Sequence, residues 1–157
     1  MNSPQKLHGR NYAIQILLWL SFALSTSANG QSLSTPFTGT WMVDLRTPAE
    51  RKEKIECGTA VFKLSQAGNK IIGSHSMATP RCGRINDGGE GSVKGLVVGE
   101  TAVLTVTSAR SGQIVLGSAK VRAGSLHWQV SEEIKAGEPE GDSGLILQSG
   151  VLRKERR

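Results

Sequence analysis

From Thr38 onward, apolar and polar residues alternate over short runs, and no apolar series at helical spacing lasts longer than two turns. A period of two is that of a half-buried strand. The runs predict strands at 38–45, 59–66, 70–77, 92–98, 101–108, 113–122, 125–132 and 145–153. Between them stand Ala67-Gly68-Asn69, Gly99-Glu100, Ser111-Gly112 and Ala123-Gly124, joints of hairpin length carrying the Gly or Asn that tight turns at positive φ require. Strands joined in order to their neighbours form a meander, which leaves two exposed edges unless the sheet closes on itself. The fold class expected is therefore all-β, an eight-stranded antiparallel up-and-down meander barrel in one domain.

Alternation also assigns the faces. Gly39, Trp41, Val43 and Leu45 oppose Thr38, Thr40 and Asp44; Ala60, Phe62 and Leu64 oppose Lys63 and Ser65; Ala102, Leu104 and Val106 oppose Thr105 and Thr107; Leu126, Trp128 and Val130 oppose His127 and Gln129. The first set of each group makes an apolar lumen. In the third strand both Ile71/Gly73/His75 and Ile72/Ser74/Ser76 are acceptable inner faces. Gly73, Gly95 and Gly117, each in mid-strand, mark barrel corners or space for a ligand.

Strand direction sorts the connections. Those at 46–58, 78–91, 109–112 and 133–144 fall at one end, and the other end has tight turns and the chain termini. Long loops on a rigid scaffold are where binding usually sits, so the long-loop end is the expected mouth.

The segment before the strands changes how the composition is read. Residues 1–12 are polar, with Lys6, His8 and Arg10, and are followed by the apolar run AIQILLWLSFAL at 13–24 and by Ser-Thr-Ser-Ala at 25–28. A basic start, a short apolar core and small residues at Thr26 and Ala28 have the pattern of a secretory signal peptide over 1–28, the alternative being an uncleaved anchor. No Cys follows the apolar core, which disfavours a lipoprotein. Residues 29–36 are then expected as a flexible N-terminal segment and 37–157 as the barrel domain. Of 157 residues, 19 are Lys or Arg and 13 Asp or Glu. Loss of Lys6 and Arg10 leaves 17 basic against 13 acidic groups, a net of +4 on 129 residues. The expected location is exported, periplasmic or secreted.

Export places Cys57 and Cys82 in an oxidising compartment. The topology brings the start of the second strand and the end of the third to the same end, so a Cys57–Cys82 bridge is expected, tying two loops together. The rival readings, a reduced redox pair or half a metal site, have neither spacing nor a third ligand in their favour.

Phe37-Thr38-Gly39-Thr40-Trp41 resembles the Gly-x-Trp signature of the calycin superfamily of small barrels, which includes lipocalins, avidins and bacterial metalloprotease inhibitors. The resemblance implies that Trp41 closes the base of the barrel, with Gly39 beside it, and that Arg153 from the last strand packs over the indole. It does not extend to the Trp-rich later strands of avidins or to the central-loop motif of lipocalins.

Candidate chemistry is sparse. His8 belongs to the signal, and His75 and His127 are read as solvent-facing strand residues. Gly-Asp-Ser-Gly at 141–144 has no His–Asp partners, the acids Glu132, Glu133, Glu138, Glu140 and Asp142 read as a solvated loop, and Asn86-Asp87-Gly88-Gly89-Glu90-Gly91 lacks the strand–helix context of a phosphate loop. No catalytic residue, metal or cofactor is expected, and the chain is read as not an enzyme. The expected function is binding of a small apolar or amphipathic ligand in the lumen, at Trp41, Val43, Phe62, Leu104, Trp128 and Val130. Its alternative is a protein-binding module, a protease inhibitor or envelope partner, with a packed lumen. The partners expected are thus a small apolar ligand or an envelope protein, with no nucleic acid and no stable membrane insertion. Charge sorts by end: 8 basic against 10 acidic groups on the long-loop side, but Lys70, Arg122, Arg153, Lys154, Arg156 and Arg157 against Glu100 and Glu155 opposite.

Overall fold

A computed structural model describes residues 34–138 and 144–156. The expected signal peptide, most of the expected flexible segment, and Glu140, Asp142 and Arg157 lie outside the described residues.

The described chain is a closed antiparallel barrel of eight strands in sequence order. Its elements are β1 (Gly39–Asp44), α1 (Pro48–Lys52), β2 (Cys57–Ala67), β3 (Lys70–Pro80), β4 (Ile85–Val98), β5 (Thr101–Thr107), β6 (Ile114–Arg122), β7 (Ser125–Lys135) and β8 (Ser149–Lys154). Inward alternation fills the core with Trp41, Ala60, Phe62, Leu64, Ile71, Met77, Val93, Ala102, Leu104, Val106, Val115, Ala119, Leu126, Trp128 and Leu152. The third strand resolves to Ile71, His75 and Met77 inward and Ile72 outward, because Phe62 stands opposite His75 and shares its face. Burying a side chain of this size contributes roughly 1.5–3 kcal/mol, so the apolar inner face is the main driving term.

Four strands depart from their expected bounds by three residues or more, β3 by running on to Pro80. β4 begins at Ile85 rather than 92, so most of the expected 78–91 loop is strand, and the β3–β4 hairpin closes over Arg81–Arg84. The register skips between Gly73 and His75, where one β3 residue, Ser74, faces four of β4, residues 89–92. Such a bulge lets a turn-like, Gly-rich sequence remain within a ladder. β7 runs on to Lys135, and β8 starts only at Ser149, leaving 145–148 as non-ladder chain.

The mid-strand glycines are close-approach positions. A Cβ on Gly117 would lie 2.2 Å from the Trp128 ring, one on Gly73 2.1 Å from the Lys63 carbonyl oxygen, and one on Gly95 2.0 Å from that of Val103. The room they leave is taken by neighbouring backbone and by Trp128, Leu64 and Leu104.

The short-turn end is sealed by Phe37, 1% exposed, whose carbonyl accepts the Trp41 Nε1 proton at 2.7 Å. Gln66 ties this corner down, accepting from the Phe37 amide and donating its own amide to Thr38 Oγ1. The closing seam is the shortest in the barrel: β1 meets β8 only at Trp41↔Lys154 and Met42↔Arg153. No helix among the described residues is long and apolar enough to cross a membrane.

Candidate functional site

The six residues expected to line a lumen are brought together but not left open. Phe62 is 0% exposed, Trp41 and Leu104 1%, and Trp128 2%; Val43 and Val130 are partly buried against the same core. A lumen wide enough for a ligand would leave these inner faces open to water. Instead Phe62 and Trp128 meet edge-to-face, ring centroids 5.2 Å apart.

The expected mouth is filled from within. Leu145 and Leu147, in the segment just before β8, are 4% and 6% exposed and join the core. Trp128 Nε1 donates to the Leu147 carbonyl at 2.9 Å, the Leu147 amide reaches Met77 Sδ at 3.4 Å, and the Leu145 amide donates to Gln113 Oε1 at 2.7 Å. Gln113 in turn donates to Glu133. A two-leucine plug with its backbone groups paired replaces an entrance, so buried polar groups are not left unmet.

At the base, the group over Trp41 is Lys154, not Arg153. Lys154 Nζ stands 5.3 Å from the indole centroid. The reason is register: Lys154 faces Trp41 across the seam, whereas Arg153 faces outward-pointing Met42. Gly39 takes part, since at φ 142° a Cβ there would come within 2.4 Å of Lys154 Cε. The lysine stem crosses the place where a side chain would stand.

His75 is the second departure. It is 2% exposed rather than solvent-facing, with Nε2 against Asn86 Oδ1 at 2.9 Å and Nδ1 against Ser92 Oγ at 3.1 Å. The amide oxygen can only accept, so Nε2 carries the proton and Nδ1 accepts from the hydroxyl. Burial pushes the imidazole below its ordinary value, partly offset by the bond to Asn86. Ser, His and Asn in this order are the types of a nucleophile, base and orienting group, yet this base points into the packed interior. What the array does is pin the β4 bulge, since Ser92 lies within it. His127 is exposed on the outer face. Among the described residues no group of three His, Cys, Asp or Glu is placed to hold a metal ion.

What projects from the long-loop end is a braced tip. The Cys57–Cys82 disulfide, Cα atoms 5.3 Å apart, joins the start of β2 to the β3–β4 turn. Beside it α1 starts on a capping box: Thr47 accepts from the Glu50 amide, the Glu50 carboxylate accepts from the Thr47 amide, and Pro48 follows the cap. Those bonds also hold the Glu50 carboxyl below its usual range. Arg46 forks onto Asp44, Nε to Oδ1 at 3.0 Å and Nη2 to Oδ2 at 2.9 Å, and donates through Nη1 to the Ile55 carbonyl at 3.0 Å. This pairing lowers the Asp44 carboxyl to about 2.

Four non-glycine residues of this tip have positive φ: Lys54 (54°), Cys57 (60°), Arg81 (63°) and Cys82 (55°). Such backbone costs about 1–3 kcal/mol per residue and persists only where its surroundings fix it. The Arg81 amide donates to the Glu56 carbonyl at 2.9 Å and the Cys82 amide to Thr79 at 3.0 Å. Lys52, Lys54, Glu56, Arg81 and Arg84 are exposed on this frame, and Arg81 lies 3.9 Å from Glu53. The helix was missed by strand periodicity; Thr47-Pro48-Ala49-Glu50 was the signal that could have found it.

Neither a family model nor a curated protein matches this chain.

Proposed function

We propose that the chain is an exported, calycin-like, non-enzymatic barrel that binds a protein, such as a protease or an envelope component, through the disulfide-tied tip formed by α1 and the β3–β4 turn. The observation that carries this reading is the strained, cross-linked backbone of the tip, in contrast to an interior whose inner faces are 0–2% exposed at Trp41, Phe62, Leu104 and Trp128. A loop already held in one conformation loses little entropy on binding, which favours recognition of a macromolecular surface. The tip carries Arg51, Lys52, Lys54, Arg81 and Arg84 against Glu50, Glu53 and Glu56, so an acidic partner surface is the better fit. The Gly39-Thr40-Trp41 start and the cation over the indole support the calycin likeness, with Lys154 in the expected role of arginine. The disulfide is compatible with an extracellular location.

The test is capture from an extracytoplasmic fraction on immobilised protein, comparing the wild type with a Lys52→Glu/Lys54→Glu/Arg84→Glu variant. The reading expects a polypeptide retained by the wild type and lost by the variant. Equal recovery by both, or retention only of an apolar small molecule, would overturn it.

A further inference from the structure

Outward-facing aliphatic residues gather on one wall of the barrel. Ile72 of β3 is 47% exposed, Leu96 and Val98 of β4 48% and 68%, and Val103 of β5 40%. Register makes them contiguous: Leu96 is opposite Val103, Ile72 is diagonal to Leu96 because it faces Lys94, and Val98 is the next outward residue of its strand. An up-and-down barrel needs no apolar residue there, as its outer wall is satisfied by water.

The charges beside this patch are mostly basic. Lys70 lies opposite Leu96 and Lys94 opposite Ile72, while Lys120 and Arg122 stand on β6, the strand next to Val103. Glu100, in the turn beside Val98, is the acid of the face. The open groove adjoining Ile72 carries Lys63 and Lys154 against Glu90 and Glu155 and adds no net charge.

We propose that this wall of β3–β5 docks peripherally on an anionic lipid surface, with Ile72, Leu96, Val98 and Val103 entering the headgroup boundary and Lys70, Lys94, Lys120 and Arg122 meeting the lipid phosphates. Aliphatic residues within a basic rim are the chemistry of interfacial binding. A second copy of the chain is the poorer occupant, because a two-fold contact would set the same four cations against their own images. A protein hot spot is poorer as well, since the patch has no Trp or Tyr and its rim is mostly lysine. The wall is distinct from the tip at the other end of the strands, so both surfaces could be occupied at once.

The test is cosedimentation of the isolated chain, its amino terminus defined by mass, with vesicles of phosphatidylcholine alone or mixed with phosphatidylglycerol. The expected result is partitioning onto the mixed vesicles that weakens with salt. Lys70→Gln and Lys94→Gln should each lower it roughly fivefold, the share of one cation near an anionic surface. Both positions are exposed, so the substitutions are expected to leave the fold intact. Val98→Trp should raise partitioning and shift its emission to the blue on the mixed vesicles. Equal partitioning of wild type and both glutamine variants, no response of the Val98→Trp emission, or a dimer dissolved by Leu96→Ser would overturn the proposal.

Discussion

Trp128 donates its indole proton to the Leu147 carbonyl at 2.9 Å, so a core side chain holds in place the segment that fills the expected mouth. Leu147→Ala removes a buried anchor of this plug and should lower stability by about 2–4 kcal/mol, the usual cost of a large-to-small change in a core. Urea unfolding measures the loss. The same variant should take up a hydrophobic dye that the wild type ignores, because the plug no longer covers Met77 and Trp128.

The disulfide ties Cys57 to Cys82 across 25 residues of sequence. On the chain-entropy account, closing this loop is worth about 3.5 kcal/mol. A Cys57→Ser/Cys82→Ser variant should lose stability of that order while keeping its far-ultraviolet dichroism, because the ladders β2–β3 and β3–β4 remain. Comparison of denaturation midpoints checks it. A variant as stable as the parent would show that the tip is fixed by its hydrogen bonds alone.

His75 and Asp44 give the protein two separate pH windows. Burial lowers the His75 value in the folded state relative to 6.5 in the unfolded chain. The unfolded state therefore takes up a proton first; stability is complete above pH 6.5 and declines as the pH falls below it. Asp44, lowered from 3.8 to about 2 by Arg46, contributes stability that is present above pH 4 and lost as the pH falls toward 2. Urea midpoints measured across pH should show both slopes, with the upper one absent from His75→Gln and the lower one reduced in Arg46→Met.

The β1–β8 seam is short, and Gly39, Trp41 and Lys154 meet there. Gly39→Ala places a Cβ 2.4 Å from Lys154 Cε at a φ of 142°, which only glycine adopts readily. It should destabilise the barrel by more than Lys154→Met, for which loss of the cation over Trp41 costs about 0.5–1 kcal/mol. Combined with Lys154→Ala, Gly39→Ala should regain the steric part but not the backbone part. A double-mutant cycle by thermal unfolding separates the two.

The barrel was legible because its information is local. A period of two and paired turn residues suffice to order eight strands, and direction alone brings Cys57 near Cys82. What was not legible depends on register and on long-range polar pairing. Arg153 and Lys154 are adjacent cations, and only the pairing across the seam decides that Lys154 shares the face of Trp41. Asn86 reads as a turn residue beside Asp87 and two glycines, yet with Ser92 it satisfies a buried histidine, which no spacing rule reveals. Leu145 and Leu147 alternate like a strand, but the chain there has no ladder partner and folds inward instead. The expectation of a ligand-binding lumen rested on an apolar inner face, which is equally the signature of a filled interior, and periodicity does not reveal that Trp128 packs into the space beside Gly117.

The central claim, that the protein recognises a polypeptide at its cross-linked tip rather than a small molecule in its interior, is tested most directly by native mass spectrometry of the protein isolated from its own source under non-denaturing conditions. The account predicts a bound second polypeptide that disappears with the Lys52→Glu/Lys54→Glu/Arg84→Glu substitutions. A one-to-one apolar small-molecule adduct that survives those substitutions would contradict it.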